Sequence, residues 1–200
     1  MTLGTAEHTM TIRDATLADA DAICRIYNQG IEDRVATLET EMRTPAERRE
    51  WLAARGPRHP VLLAETTGGV GRTTEPHTLP NRPPTTQAGL AAPATINPAP
   101  IAWASLNRFN PRPAYDHVAD LSVYVERAWR GRGVGRALLG ALVERARAIG
   151  YHKLVLAAFP ENAGGMALYA RLGFTRVGIY REQGLLDGRW VDVVVMERLL

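Results

Sequence analysis

The order of secondary-structure signals in the sequence predicts an α/β domain on a mixed sheet flanked by helices. Two observations carry this prediction. Short runs typical of strands alternate with amphipathic helical patterns, and helix start and stop signals separate the two. The predicted order is βααβββαβαββ, with a Thr-, Pro- and Gly-rich insertion at 66–100 between the second and third strands. A chain of 200 residues with 46% hydrophobic content is long enough for one such domain with a sizeable core.

The first strand and the first helix follow from patterns near the N-terminus. Residues 1–10 show no regular pattern and are expected to form a flexible tail, while Thr11 to Arg13 predicts a short strand. Thr16 and Asp19 have the spacing of a capping box, which satisfies free amides at the start of a helix. The apolar face of that helix comprises Ala20, Ile23, Cys24, Ile26 and Tyr27.

A second helix and a second strand come before the insertion. Thr44, Pro45 and Glu47 repeat the helix-start pattern, with proline at the first helical position. The helix is expected to end at about Arg55, and Val61 to Glu65 predicts a strand.

The insertion at 66–100 contains seven of the thirteen prolines and shows no apolar periodicity. A loop of this length inside a compact domain is unusual, and its composition is typical of disordered segments. We therefore expect a disordered insertion in a single domain that spans 11–200.

The second half of the chain predicts five strands and two helices. The longest helical pattern follows a Gly-rich loop at 127–135 and ends at Gly150. A shorter helix runs from its cap at Asn162 to Leu172, and a turn at 184–188 joins the last two strands. The predicted strands are Ile101–Arg108, Tyr115–Val125, Lys153–Ala158, Phe174–Arg181 and Val191–Leu199.

Composition and charge exclude several classes of protein. The 24 basic and 21 acidic residues give a net charge of +3, too small to indicate nucleic-acid binding. No apolar run approaches the ~18 residues of a membrane span, and no signal pattern opens the chain, so we expect a cytoplasmic protein with no membrane partner. The single cysteine, Cys24, excludes an intrachain disulfide. The five histidines are scattered without ligand spacing, so no metal site is predicted.

The sharpest chemical signal is the segment Arg130 to Gly135, with the sequence RGRGVG, between a predicted strand and the long helix. Glycines let the backbone approach an anion closely, and the free amides and dipole of a helix N-terminus favour negative charge. Arg130, Arg132 and Arg136 add positive charge. The segment matches neither a Walker A loop nor the dinucleotide fingerprint. Taken alone, it fits both an anion site and a plain Gly-rich turn with solvated arginines.

In its context this loop resembles the coenzyme A-binding motif of the GNAT superfamily of N-acetyltransferases. The motif Arg/Gln-x-x-Gly-x-Gly/Ala is matched by Arg130, Gly133 and Gly135. A strand ending at Val125 precedes the loop, and the segment from Asn162 to Phe174 follows it, as in that superfamily. The resemblance implies the GNAT fold with a mostly antiparallel mixed sheet, acetyl-CoA as co-substrate and N-acetyl transfer.

Further segments are similar to the phosphinothricin, arsinothricin and methionine sulfoximine acetyltransferase branch of this superfamily. They are Ile26–Asn28, Ala36–Glu41, Arg112–Tyr115, Ser122–Val125 and Gly188–Asp192. Enzymes of this branch acetylate the α-amine of glutamate-like amino acids, inactivate toxic ones and commonly form homodimers. The resemblance therefore implies a small amino-acid substrate, a resistance or detoxification role and a homodimer.

The resemblance also implies which residues bind acetyl-CoA. Backbone groups of Val123, Tyr124 and Val125 would bind the pantetheine arm as an added strand and polarise the thioester carbonyl. Asn162 would reach the pantetheine or the sulfur. The pyrophosphate would be held by Arg130 and by the amides of Gly131, Arg132, Gly133, Val134, Gly135 and Arg136.

Two catalytic residues are implied by position. The branch carries a glutamate base three residues before the Val-Tyr-Val segment, where this sequence has Asp120. Because aspartate is shorter, it would act directly or through a bridging water; the alternative is an aspartate that only ends a strand. Tyr169 stands where many GNAT enzymes carry a proton donor to the thiolate, and an ordinary tyrosine pKa of about 10 suits that role. The alternative is a tyrosine that only fills the core.

The amino-acid substrate needs partners for its acid groups, and arginine binds carboxylate or phosphinate in a fork. Arg112 and Arg34 match the substrate region of the branch, and Tyr115 and Ser122 would add hydrogen bonds. His117 is an alternative base, although a lone histidine beside a strand is more often structural.

Two other functions compete with this one: acetylation of protein N-termini or lysines, and acetyl-CoA binding by a non-catalytic sensor. A peptide substrate needs an open groove, whereas the resemblance at Arg112, Tyr115 and Trp190 points to a closed pocket. The change from glutamate to Asp120 keeps the sensor hypothesis open, and the intact loop together with Tyr169 argues against it.

Overall fold

The computed structural model describes residues 9–67 and 98–200, and it forms strands and helices in the predicted order. The helices are α1 (Ala20–Glu32), α2 (Pro45–Ala53), α3 (Val134–Ile149) and α4 (Ala163–Arg171). The strands are β1 (Thr9–Asp14), β2 (Val61–Thr67), β3 (Ala99–Arg108), β4 (Val118–Val125), β5 (Lys153–Ala158), β6 (Thr175–Leu186) and β7 (Arg189–Leu199). The predicted fold class is confirmed.

All of these strands join one mixed sheet in the order β1-β2-β3-β4-β5-β7-β6. Every neighbouring pair is antiparallel except β4 and β5, which are parallel. The sheet is therefore mostly antiparallel, as expected, and its one parallel contact lies at the centre. That contact is short, because β4 pairs with β5 only from Val118 to Asp120.

The start of β4 differs from the prediction. The strand begins at Val118 rather than at Tyr115, because Pro113–Tyr115 form a turn of 3-10 helix. Proline has no backbone N–H to give to a sheet, and its fixed φ suits the first position of such a turn. The loop that contains Arg112 and Tyr115 therefore stands outside the sheet.

The hairpin of β6 and β7 is longer than predicted. The strands extend to Leu186 and from Arg189, so the turn contains only Asp187 and Gly188, both with positive φ. The pairing register is irregular between Tyr180 and Gly184, which is typical of a bulge. The irregular stretch looks like a strand end in the sequence, although pairing resumes after it.

The predicted tail and insertion lie largely outside the described residues, which omit 1–8 and 68–97. Their boundaries need correction. Thr9 and Met10 belong to β1, and both ends of the predicted insertion continue the ladder of β2 with β3 through the pairs Glu65–Pro100 and Thr66–Ala99. Backbone pairing persists there beyond the point where the apolar side-chain pattern stops.

Helices cover both faces of the sheet, because side chains alternate along each strand. On β3, Ala102, Ala104 and Leu106 pack toward α3 within the larger core cluster. Trp103 points the other way and packs with α1 and the end of α2 in a second cluster. None of the helices in the described part of the chain is long and apolar enough to cross a membrane.

Candidate active site

An opening lies between β4 and β5 at the centre of the sheet. Beyond Asp120, β4 continues beside β3 alone, while β5 continues beside β7. Within the described ranges, the stretch from Leu121 to Val125 therefore has no neighbouring strand on its β5 side. Such an edge presents backbone donors and acceptors to an extended ligand, which can bind as an added strand.

Val123 and Val125 direct their backbone groups into this opening. The amide of Glu126 donates to a carbonyl of β3 at 2.8 Å. Because backbone direction alternates along a strand, the polar groups of Tyr124 also face β3, and those of Val123 and Val125 face the opening. Of the predicted pantetheine-binding residues, the two valines are therefore in position. The backbone of Tyr124 is directed to β3, and its side chain enters a cavity described below.

The Gly-rich loop adopts conformations that favour glycine. Gly131 and Gly133 have φ angles of 74° and 82°, and α3 begins at Val134. Because the first amides of a helix have no intrahelical acceptor, those of Val134, Gly135 and Arg136 are available to an anion. The loop therefore has the backbone of an anion cradle at the end of the strand opening.

The arginines around the loop differ in their partners. Arg130 and Arg127 both pair with Asp33 at the end of α1, and Arg130 also donates through Nε to the carbonyl of Val125 at 3.0 Å. Hydrogen bonds from Arg127 and Arg130 hold the pKa of Asp33 below its usual value. The guanidinium of Arg132 lies 5.2 Å from the ring of Trp129. Arg136 is exposed and makes no ion pair with any described residue, so its charge is available to a ligand.

Gly135 and Asn162 connect the cradle to α4. A Cβ atom on Gly135 would lie 3.2 Å from Leu168 Cδ2, so glycine allows α3 to approach α4 closely. The side-chain oxygen of Asn162 accepts from the amide of Gly165 at 2.9 Å and caps α4. Asn162 therefore has a structural role as the cap of α4. The predicted ligand contact would come from its Nδ2, which can donate a hydrogen bond while the side-chain oxygen holds the cap.

A cavity of about 420 Å³ lies on the face of the sheet that α1 and α2 cover. This volume falls in the range of small-molecule sites. Two buried nitrogens in its wall, Nε of Arg48 and Nε1 of Trp103, have no hydrogen-bond partner among the described residues. Its lining residues are Tyr27, Glu39, Arg43, Glu47, Arg48, Trp51, Trp103, Ser105, Asn107, Ser122 and Tyr124.

Asp120 lies next to this cavity, where β4 and β5 separate. The amide of Asn107, on the paired position of β3, donates to its Oδ2 and to Oγ of Ser122, both at 3.2 Å. Burial raises the pKa of Asp120 to about 6, against the lowering effect of hydrogen bonds from Asn107 and the Leu121 amide. A carboxylate with such a pKa is a better proton acceptor near neutral pH than an ordinary aspartate.

Tyr169 lies on α4, buried among core residues, and burial raises its pKa to about 12. Its hydroxyl makes no hydrogen bond with a described residue and is not among the fully buried polar atoms, so it is available to a ligand. The tyrosine also lies near the cavity wall. The pKa of Tyr124 is raised mainly by burial and further by the nearby phenols of Tyr27 and Tyr169.

The structure separates the predicted substrate-binding residues. Ser122 lines the cavity, whereas Arg34 pairs with Asp187 in the β6–β7 turn, with Nε 3.0 Å from Oδ2, and does not line it. Arg112 is exposed on the β3–β4 loop, and Tyr115 borders a different cavity of about 330 Å³. His117, the alternative base, is exposed and lies against His152 rather than beside Asp120. Within this chain, the geometry therefore supports Ser122 alone among the four predicted substrate contacts.

Sequence reasoning missed three polar residues of the site. Arg48 is buried in the cavity wall, and Arg55 donates to Oδ1 of Asn107 at 3.0 and 3.1 Å. Asn107 could have been predicted, because it lies on the predicted third strand, which pairs with the fourth so that Asn107 stands opposite Asp120. The arginines carry no comparable signal, since their positions depend on which face of α2 meets the sheet.

No group of three or more His, Cys, Asp or Glu side chains that could hold a metal ion occurs within residues 9–67 and 98–200.

Comparison with known proteins agrees with this geometry. The sequence model of the acetyltransferase (GNAT) family matches residues 62–174. An L-methionine sulfoximine/L-methionine sulfone acetyltransferase of Pseudomonas paraeruginosa is 31% identical over 188 residues, which cover 94% of this chain and 92% of the relative. Among solved structures, a phosphinothricin acetyltransferase from Sinorhizobium meliloti in complex with acetyl-CoA is 28% identical with a TM-score of 0.75, covering 96% of this chain and 89% of that one.

A further solved structure is that of a ribosomal-protein-alanine N-acetyltransferase from Brucella melitensis, 30% identical with a TM-score of 0.75. The match covers 95% of this chain and 99% of that chain. The family model, the similar solved structures and the anion cradle beside the strand opening all indicate the same family. The chain belongs to the acetyltransferase (GNAT) family and is an acetyl-CoA-dependent N-acetyltransferase.

Proposed function

We propose that the acceptor is the α-amine of a small glutamate-like amino acid, such as phosphinothricin or methionine sulfoximine. The observation that carries this proposal is the partly enclosed cavity beside Asp120, whose volume suits a small molecule. Relatives that act on such amino acids align over nearly the whole chain.

The described residues fit acetyl-CoA on both sides of the strand opening. Val123 and Val125 would hold the pantetheine arm through backbone hydrogen bonds. The amides at the start of α3, together with Arg132 and Arg136, would hold the pyrophosphate. Bound in this way, acetyl-CoA supplies the acetyl thioester next to the Ser122 end of the cavity.

Asp120 and Tyr169 would then manage the two proton transfers. Asp120 accepts a proton from the substrate ammonium, directly or through water, and the free amine forms a C–N bond with the thioester carbonyl carbon. The C–S bond breaks, and Tyr169 donates its phenolic proton to the departing thiolate. The acylated nitrogen loses its second proton to form the amide, and that proton returns to the phenolate of Tyr169, directly or through water. The phenol remains protonated at neutral pH because its pKa is about 12.

Thiol release from acetyl-CoA by the purified protein tests the proposal. We expect turnover with phosphinothricin, arsinothricin and methionine sulfoximine, and background rates with peptides that begin with alanine or contain lysine. Turnover restricted to peptides would instead support the competing function, acetylation of protein N-termini or lysines. Acetyl-CoA binding without turnover on any acceptor would contradict both.

Replacing Arg136 with alanine is expected to weaken acetyl-CoA binding several-fold and to leave kcat nearly unchanged. The side chain is exposed beside the cradle and pairs with no described residue, so it contributes charge to binding rather than to chemistry. Isothermal titration at two salt concentrations measures the effect, which should shrink at high salt. Arg147→Ala, at the other end of α3 and paired with Glu144, is the matched control. An equal loss in both variants would contradict the role of Arg136.

The proposal includes a homodimer. Strand β6 is an edge of the sheet, and large apolar side chains remain exposed on the β6–β7 hairpin. Exposed apolar side chains of this size commonly mark an interface. They are Val177, Ile179, Tyr180, Leu185 and Trp190. Light scattering of the purified protein checks the expected dimer mass, and a monomer mass would contradict it.

We also propose a cytoplasmic location and a resistance role. Cys24 is buried as a free thiol, as is common in reducing compartments. Acetylation removes the charge of an amino-acid amine and would prevent a toxic analogue from being recognised as the parent amino acid. Expression in a sensitive host should restore growth on phosphinothricin, and cell fractionation would test the location.

A further inference from the structure

Arg48 on α2 is a buried cation in the wall of the cavity. The residue is 8% exposed, and its guanidinium carbon lies 3.9 Å from the ring centroid of Tyr27 and 5.5 Å from that of Trp51. These distances indicate cation–π contact on the apolar side of the group. No guanidinium nitrogen of Arg48 makes a hydrogen bond or ion pair with a residue in the described ranges, and its Nε is fully buried.

The acidic residues nearby have other partners. Glu39 and Glu47, which also line the cavity, both pair with Arg43. Glu47 additionally accepts from the amide and the hydroxyl of Thr44, at 2.6 and 2.9 Å, as part of the cap of α2. Among the residues that the structure describes, Arg48 is thus the cavity cation without a counter-charge.

A buried charge without a partner is costly, and cation–π contact offsets only part of that cost. A buried charge of this kind in a cavity wall is a candidate binding group, because a ligand of opposite charge would remove that cost. A guanidinium presents a planar fork of donors that matches a carboxylate or phosphinate. The chemistry of Arg48 therefore points to an acidic group of a bound molecule.

The position of Arg48 identifies which acid group that is. Arg48 lies over Tyr27, whose ring is 6.0 Å from that of Trp103, whereas Asp120 lies at the Asn107 end of the cavity. Asn107 is four positions along β3 from Trp103, so the two ends are on the order of 10 Å apart. In an amino acid the α-carboxylate is attached to the same carbon as the amine. An amine at Asp120 therefore leaves only the side-chain acid within reach of Arg48.

We propose that Arg48 binds the side-chain acid of the substrate and so makes the enzyme favour acidic over neutral amino acids. The proposal rests on the proposed function, since it takes the acceptor to be a small amino acid with its amine near Asp120. Arg48 is a specificity-determining residue in this account, and it takes no part in proton transfer.

The test compares two substrates that differ in the side-chain group. Phosphinothricin carries an anionic phosphinate, whereas methionine sulfone carries a neutral sulfone. We expect Arg48→Gln to lower kcat/KM for phosphinothricin by about 10²-fold, as for loss of one partner of a buried ion pair, and for methionine sulfone by less than about fivefold. Most of the loss should be in KM. Arg48→Lys keeps the charge without the fork, so its kcat/KM for phosphinothricin should fall between that of the wild type and that of Arg48→Gln.

Arg49 provides the matched control, because it is the adjacent arginine on α2 and is exposed. Arg49→Gln should leave both substrates unaffected. Binding without turnover is measured by tryptophan fluorescence, since Trp51 and Trp103 line the cavity. Phosphinothricin should quench or shift the wild-type emission at concentrations about 10²-fold lower than for Arg48→Gln.

Three results would overturn the inference. Arg48→Gln could lose equal activity on both substrates, which would place the α-carboxylate at Arg48, or it could leave the phosphinothricin kinetics unchanged. The third is a wild type that does not bind phosphinothricin. If Arg48→Gln fails to fold, the Arg48→Lys kinetics decide, and lysine kinetics equal to wild type on both substrates would contradict a fork-shaped contact. Wild-type turnover on neither amino acid, by contrast, contradicts the proposed function itself.

Discussion

Replacing Asp120 with asparagine is expected to lower kcat by about 10²–10⁴-fold, the range for loss of a general base, while acetyl-CoA binds as tightly as to the wild type. The amide keeps the shape and the hydrogen bond with Asn107 but cannot accept a proton from the substrate ammonium. Stopped-flow thiol release gives kcat, and titration calorimetry gives the acetyl-CoA affinity. The conservative control is Asp120→Glu, which should keep most of the activity because it retains a carboxylate at this position.

The pH dependence gives a second readout of the same residue. Because burial raises the pKa of Asp120 to about 6, kcat/KM should fall as the pH drops through that value and the carboxylate becomes protonated. The inflection should vanish in Asp120→Asn. Asp116→Asn removes an exposed carboxylate nearby and should leave both the rate and the inflection unchanged. An inflection near pH 6 that persists in Asp120→Asn would show that another group is titrating.

Stability should change in the opposite direction to activity. The pKa of Asp120 is higher in the folded chain than its ordinary value of 3.8, so ionisation destabilises the fold as the pH rises from about 4 through 6. At pH 7, Asp120→Asn is therefore expected to raise the free energy of unfolding by about 1–3 kcal/mol. Urea denaturation measures this. A variant that is more stable but inactive would show that the Asp120 carboxylate lowers stability and is retained for catalysis.

Tyr169→Phe is expected to lower kcat roughly 10- to 10²-fold, because the thiolate must then leave without a positioned proton donor. The effect should be smaller than that of Asp120, since a thiolate is a comparatively stable leaving group. Unfolding free energy should change by less than about 1 kcal/mol, because the hydroxyl makes no hydrogen bond with a described residue and the ring keeps its contacts with Phe174.

Tyr151→Phe is the matched control for this prediction. It removes another largely buried phenol, one that donates to the carbonyl of Arg58 at 2.9 Å. We expect it to lose about 1 kcal/mol of stability and little activity. If Tyr169→Phe behaves like Tyr151→Phe, with a loss of stability and no loss of rate, then Tyr169 fills the core and another group protonates the thiolate.

Much of the fold was predictable because local signals agree with one another. The capping box of Thr44 and Glu47 forms as expected, and the glycine after α3 ends that helix in a left-handed conformation. Prediction failed where the backbone overrides the side-chain pattern. The bulge near Glu182 looks like a strand end, and Pro113 turns the chain just before β4.

The site was predictable only in part, for a related reason. The cradle is a continuous segment, so Gly131 and Gly133 stand out in the sequence. The acceptor cavity is assembled from separate helices and strands, and neighbouring residues such as Arg48 and Arg49 differ only in the face they occupy. Arg34 was predicted to bind substrate, but its guanidinium meets Asp187 from a distant hairpin. Such a contact follows from tertiary packing and has no local pattern.

The alternation along β4 has a consequence for how enzymes of this shape can diversify. In the complex proposed above, Val123 and Val125 would bind the co-substrate through backbone atoms, which every residue type except proline supplies equally. Ser122 and Tyr124 line the cavity with their side chains, which differ with every substitution. Along this one strand, alternate residues therefore serve backbone contacts that do not depend on residue type and side-chain contacts that do. New acceptors can be acquired by changing alternate positions, while recognition of acetyl-CoA is inherited intact.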